Sequence, residues 1–338
     1  MKLGRIWRDS PDGPVTRIVA VHPDEERVVD LALAEAIILR RGGAADPAAR
    51  RVATAYFPAS MSAAIGLGDA FVSAAAEADA EGGDDASLRF TDVRWAPPLD
   101  PPVIRDSMTF PGHMKQVADL VGPPNPQFFK TPGFFKGSTA TVYGPDEEVP
   151  YPSTGEQVDY ELEIGIVVGK PGRNLTPAEA QQCLFGLTIF NDFSVRDIQG
   201  REMTMGMGPQ KAKDFAFGLG PWITTIDELP PIPELSFSVS VNGEQWAVGD
   251  PAGMFWSPAE LLAYVSIADG LQPGDVIGSG TVGNGSGFEI GRFLKPGDTV
   301  ELTVESIGTL RNTFTAAPEE YPWWPEPKPN PFETEAVA

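Results

Sequence analysis

The chain has 338 residues, 42% of them apolar, enough for one large domain or a small one joined to a larger one. Its formal net charge of −22 at pH 7 repels nucleic-acid phosphates and anionic membranes, so neither is an expected partner. It lacks a run of about 18 apolar residues and a leader-like N-terminal stretch, and its one cysteine, Cys183, excludes an intrachain disulfide framework, so the expected location is cytoplasmic.

Residues 1–95 read as a small N-terminal α+β domain. Short strands are expected at 17–21 and 27–31, Ala-rich helices near 31–41 and 60–79, and an exposed turn at 81–85. The Pro-rich segment 96–102 reads as a linker, because proline fixes φ and cannot join a helix or a central strand. Residues 103–318 read as a larger, strand-rich α+β domain. A strand is expected over 160–168. Thr176, Pro177 and Glu179 form a helix-start signature, repeated by Ser257, Pro258 and Glu260. The runs 235–241 and 299–304 alternate as half-buried strands, and Asn242-Gly243 signals a hairpin. With 36 Gly and 34 Pro, the expected architecture is a coiled β-structure carrying peripheral helices. The tail, 319–338, is rich in Pro and Trp and has no periodicity.

Glu161 and Glu163 alternate with apolar residues, so they project from one strand face roughly 7 Å apart. Such a pair on a solvated face would be unremarkable. Here the strand runs on as Gly165-Ile166-Val167-Val168, which reads as buried on both faces. A buried acidic pair needs a counter-charge, and a hard divalent cation bound through oxygen supplies one. Asp192 ends the apolar run 187–190, and Asp106 lies just past the Pro-rich segment. Alone, each Asp fits a turn or cap equally well, and spacing does not assemble the four acids. Of the two histidines, His22 sits in a polar turn of the N-terminal segment, and His113 follows Pro111-Gly112 at the start of a short helix. An imidazole is suited to activating water near neutral pH. Met203, Met205 and Met207 alternate in a Gly-rich loop, either as apolar lining or as a lid. The stretch 283–287 is Gly-rich but lacks the following Lys of a phosphate loop.

Tyr160-Glu161-Leu162-Glu163-Ile164, Asn191-Asp192-Phe193-Ser194-Val195-Arg196-Asp197-Ile198-Gln199, Gly220-Pro221-Trp222, Pro273-Gly274-Asp275, Gly280-Thr281 and Lys295-Pro296-Gly297-Asp298 occur in this order. In these segments the chain resembles the fumarylacetoacetate hydrolase family over 103–318. The resemblance implies a coiled β-roll or sandwich, a homodimer, and Mg²⁺ (or Mn²⁺ or Ca²⁺) on Glu161, Glu163 and Asp192, with Asp106 as a fourth ligand. Without a Cys/His set, zinc is disfavoured. The resemblance further implies His113 as the catalytic base and Lys213 as the site lysine, although Lys213 stands in Ala-Lys-Asp-Phe where the family pattern is Gly-Lys-Ser-Phe. Arg196 and Gln199 match residues that hold site and substrate, and Gly280 and Thr281 suit a substrate carboxylate. Small acylpyruvate hydrolases of the family carry a His-x-x-Glu dyad, and here Gln116 stands in place of that acid. Gly285-Ser286-Gly287-Phe288-Glu289-Ile290 instead matches the segment in which other members carry the partner Glu, so the resemblance implies Glu289 as the partner of His113. The implied activity is hydrolysis of a carbon–carbon bond in a β-diketo acid, a small-molecule oxo-acid substrate. The alternatives are decarboxylation, dehydration or isomerisation of a 2-oxo acid, and a catalytically idle metal-binding scaffold. Apolar Met108, Phe134 and Phe135 point to a bulky or weakly polar distal group on the substrate.

Overall fold

All seven residues of the strand Leu162–Val168 are buried, Glu163 included. A strand with no face for water must be covered on both sides and paired on both edges. In the computed structural model, which describes residues 1–331, it pairs antiparallel with Leu184–Asn191 on one edge and Val276–Gly278 on the other. Val276–Gly278 runs parallel to Ile104–Ser107, which pairs with Phe134–Gly137. On the opposite side, Leu184–Asn191 pairs with Phe217–Thr225.

A second sheet of five strands carries the alternating segments. Phe237–Val241 and Glu244–Gly249 form the hairpin expected at Asn242-Gly243, both of whose φ angles are positive (52° and 78°). Thr299–Val304 is a strand at the bounds read from its alternation. Its inward residues Val300, Leu302 and Val304 join Ile164, Ile166, Leu187 and Ile189 in one apolar core. Both expected capping boxes form, at Thr176 and Ser257. The fold is therefore the strand-rich α+β class expected from the sequence, with helices outside the sheets.

Residues 1–95 are joined to the rest by more than the segment 96–102. The strand Lys2–Arg8 pairs antiparallel with Phe217–Thr225, and Val15–His22, Arg27–Asp30 and Ser87–Arg89 extend the same twelve-stranded sheet. Leu3, Ile18, Leu31, Phe57 and Phe71 share a core with Ile104, Val167, Phe190, Phe217 and Val276. Arg5 donates to the carbonyl of Pro97 (2.8 Å) and to Asp100 (3.1 Å), tying down the Pro-rich segment. Within this region the helix expected over 60–79 is two, Met61–Ile65 and Asp69–Glu81, broken where Gly68 takes φ 63°. A further helix, Asp46–Tyr56, precedes them, after the helix Leu31–Arg41. No regular element follows the strand Gly308–Glu319 within the described residues, where the rings of Tyr321 and Trp324 stack at 6.3 Å. The expected tail continues over 332–338, outside the described residues.

Candidate active site

Four neighbouring strands bring three acids together, with Val276–Gly278 lying between the strands of Asp106 and Glu163. Gly278 pairs with Gly165 on one side and Asp106 on the other, Glu163 pairs with Phe190, and Asp192 lies just past the end of Leu184–Asn191. One carboxylate oxygen from each of Asp106, Glu163 and Asp192 lies within 4.8 Å of the others, and all three residues are buried. Gly278 leaves the space: a Cβ there would collide with Asp106 Oδ1 and come within 2.8 Å of Glu163 Oε2. Burial pushes all three carboxyls up, and their mutual repulsion adds to it at Glu163 and Asp192, which rise well above the ordinary range. Asp192 Oδ1 is buried with no hydrogen-bond partner among the described residues. Hard oxygen donors, one of them unpartnered, around a space kept open by glycine fit a hard divalent cation.

Glu161 does not converge with these three. Arg196 donates to its Oε1 (2.9 Å), as does the Thr281 hydroxyl (2.8 Å), and the Lys213 ammonium bridges its Oε2 to Asp192 Oδ2. Burial alone would raise the Glu161 carboxyl, but Arg196, Lys213 and His113 outweigh it and hold it well below the ordinary range. Glu161, one of the three ligands implied by the resemblance alongside the fourth, Asp106, is thus held as a carboxylate between Arg196 and Lys213 at the side of the cluster.

His113 lies in the first turn of the helix Pro111–Val121 and is 3% exposed. Its Nδ1 is 3.2 Å from Glu289 Oε1, within ion-pair reach but off hydrogen-bond alignment, and its Nε2 is 3.8 Å from Glu161 Oε1. Such contacts are commonly loose before a substrate is bound. Glu289 is fixed by a third capping box. Its Oε2 accepts from the Ser286 N–H (2.9 Å) and hydroxyl (2.8 Å), while Oε1 accepts from the Asn284 N–H (3.1 Å). Gln116 does not orient the ring. It exchanges hydrogen bonds with Asn284 (2.6 and 3.2 Å) and so braces the loop that carries Glu289.

Arg196 opens the helix Arg196–Thr204, spanning Asp159 (2.7 Å), Glu161 and the side-chain oxygen of Gln199 (3.1 Å). Gly280 and Thr281 reach the site, but the Gly280 N–H donates to Glu163 (2.9 Å) and the Thr281 hydroxyl to Glu161 and Glu163. Buried carboxylates require such donors, which accounts for their direction. Phe135, register partner of Asp106, lies 5.8 Å beneath the Lys213 ammonium. Met203, Met205 and Met207 are exposed.

The family model described as fumarylacetoacetate (FAA) hydrolase C-terminal matches residues 102–315. The chain belongs to the fumarylacetoacetate hydrolase family. An uncharacterized Staphylococcus aureus protein is 32% identical over 231 residues, 67% of this chain and 74% of the relative. The fumarylacetoacetate hydrolase of the psychrophile Exiguobacterium antarcticum superposes with a TM-score of 0.69 at 25% identity, covering 94% of this chain and all of that one. A maleylpyruvate hydrolase from Sphingobium sp. SYK-6, solved with manganese(II) and pyruvate, shares the fold with a TM-score of 0.65 at 20% identity, covering 93% and 99%.

Sequence reasoning missed several residues around this fumarylacetoacetate hydrolase-family site. Asp159 accepts from the N–H groups of Gly287 (2.7 Å) and Phe288 (3.0 Å) while holding Arg196, and so straps the Glu289 turn to the cation. The side chain of Asn191 accepts from the Glu161 N–H (3.0 Å), and the Ser194 hydroxyl donates to Glu161 (3.3 Å). The Ser286-x-x-Glu289 spacing was a readable signal, since it is a capping box. Asp159 carried only its place beside Glu161.

Proposed function

We propose that the protein hydrolyses a carbon–carbon bond in a β-diketo acid of the acylpyruvate kind, as a Mg²⁺-dependent enzyme. The observation that carries this reading is His113, buried between Glu289 and Glu161 beside three converging carboxylates. Asp106, Glu163 and Asp192, with Glu161 adjacent, would hold the dication, with Mn²⁺ or Ca²⁺ as substitutes. When bound, it supplies Lewis-acid stabilisation to negative charge developing on the substrate's oxo oxygen.

The protein's own groups account for the proton transfers. Glu289 faces Nδ1 and favours the tautomer with a proton there, leaving Nε2 free to accept one from water. The hydroxide oxygen bonds to the distal carbonyl carbon. As the carbon–carbon bond breaks, its electron pair passes to the pyruvyl fragment as an enolate. The proton on Nε2 then returns to that carbon, releasing a carboxylic acid and a 2-oxo acid. Buried Lys213 and largely covered Arg196 would place two cations beside the developing oxyanion, in a site where water screens them little. Phe135 and Met108 would face an apolar acyl end.

The test is turnover of an acylpyruvate series with Mg²⁺, separating carboxylic acid from CO₂ by chromatography and gas release. Paired acid and 2-oxo acid products are expected, and both are lost in His113→Ala or with a chelator. Turnover surviving either change refutes the scheme, and CO₂ as the product replaces hydrolysis by decarboxylation. The reading includes a cytoplasmic homodimer, checked by the mass of the native protein in solution.

A further inference from the structure

We infer that Glu202 is a positioning residue that holds Lys213 over the acid cluster. The inference rests on the reading of Lys213 as part of the site. Glu202 is a buried acid in the last turn of Arg196–Thr204. A buried carboxylate is stable only with donors around it. Here the donors are three consecutive backbone N–H groups from another segment. Gln210 (2.7 Å) and Ala212 (3.2 Å) donate to Oε2, and Lys211 (2.8 Å) donates to Oε1.

Those N–H groups open the short helix Lys211–Asp214, which carries Lys213. The intervening chain holds Gly206 and Gly208 at φ 71° and 80°, with three exposed methionines. Nothing in that composition favours one backbone path. The Glu202 carboxylate closes the base of the loop and delivers Lys213 to Glu161 and Asp192. One helix thereby sets both cations of Glu161: Arg196 directly from its first turn, and Lys213 through Glu202 from its last.

The mainly exposed Lys211 (67%) and buried Lys213 (4%) supply an internal comparison. Reductive methylation read by fragmentation of the shared peptide should modify Lys211 and spare Lys213 in the unaltered protein. In Glu202→Ala, Lys213 modification relative to Lys211 should rise about tenfold or more. In Glu202→Gln, where one acceptor oxygen is replaced by a donor, the rise should be smaller. On acylpyruvate, kcat should fall roughly 10- to 100-fold with KM little changed, as expected for a displaced catalytic group. Glu202→Ala added to Lys213→Ala should cost nothing further, because Glu202 acts through Lys213. Lys213 that stays protected in both Glu202 variants overturns the inference, as does a double variant showing the full product of the two losses. If Glu202→Ala does not fold, Glu202→Gln decides both arms. The labelling arm needs no substrate, so failure of the proposed reaction leaves it decisive.

Discussion

Replacing Gly278 by alanine adds one methyl to the most confined point of the site. Gly278 is not at a positive φ, so the backbone accepts a Cβ and the effect belongs to the side chain alone. That Cβ would collide with Asp106 Oδ1 and lie 2.8 Å from Glu163 Oε2 and 2.9 Å from the Phe190 ring. Both oxygens are anchored, Asp106 Oδ1 by the Ser107 N–H at 2.8 Å and Glu163 Oε2 by the Gly280 N–H at 2.9 Å. Relief by moving either oxygen stretches a buried hydrogen bond, worth about 1 kcal/mol. Overpacking adds about 1–3 kcal/mol. The sum is a destabilisation of about 2–4 kcal/mol in the metal-free protein. Misdirected ligands should weaken Mn²⁺ binding by about 10- to 100-fold. Denaturant melts with a chelator measure the first quantity, and Mn²⁺ titration by electron paramagnetic resonance measures the second. A Gly278→Ala protein with unaltered stability and Mn²⁺ affinity within twofold of the unaltered protein would refute the placement of the cluster around Gly278.

Glu289→Gln keeps the volume of the side chain but removes its charge beside His113; kcat should fall by about 100-fold or more in steady-state assays, with KM nearly unchanged. Glu163 and Asp192 are raised well above the ordinary carboxylate range, so they stabilise the metal-free fold while protonated and oppose it once ionised. The melting temperature in chelator should therefore fall as pH rises through and beyond that range, and Mg²⁺ should reverse the slope because binding displaces those protons. Glu161, held well below the range, acts in the opposite direction: its stabilisation is present above its ordinary value and lost in acid, so the melting temperature should also fall at low pH. Deleting residues 1–95 uncovers the Phe217–Thr225 edge and the core around Phe190, so soluble yield and Mn²⁺ binding should both be lost; a folded, Mn²⁺-binding fragment would show the N-terminal segment to be independent.

What could be read from the sequence was local. Capping boxes at Thr176 and Ser257 close within four residues, and the alternation of 299–304 needs only its own strand. Glu161 and Glu163 were legible for the same reason, since strand periodicity and a buried continuation suffice. The pairing of Lys2–Arg8 with Phe217–Thr225 joins residues more than 200 apart, and nothing in either strand names the other. Asp106 and Asp192 meet only because four neighbouring strands align, so resemblance rather than spacing nominated them. The turn of Glu161 toward Arg196 and Lys213 depends on which buried acid lies nearest the cations, which is a tertiary matter. Glu202 left no local trace, because it caps a turn eight residues downstream rather than its own helix.

The two oxygens of Glu289 carry different duties. Oε2 starts a helix through Ser286, and Oε1 faces the imidazole while also accepting from Asn284. A carboxylate anchored at both ends has no freedom to swing, so the ring it addresses can be re-aimed only by shifting the loop as a body. In the proposed reaction, main-chain geometry would thus set the direction of proton transfer. Variation at that loop, including the Gln116–Asn284 brace beneath it, would retune the proposed base without touching His113 itself.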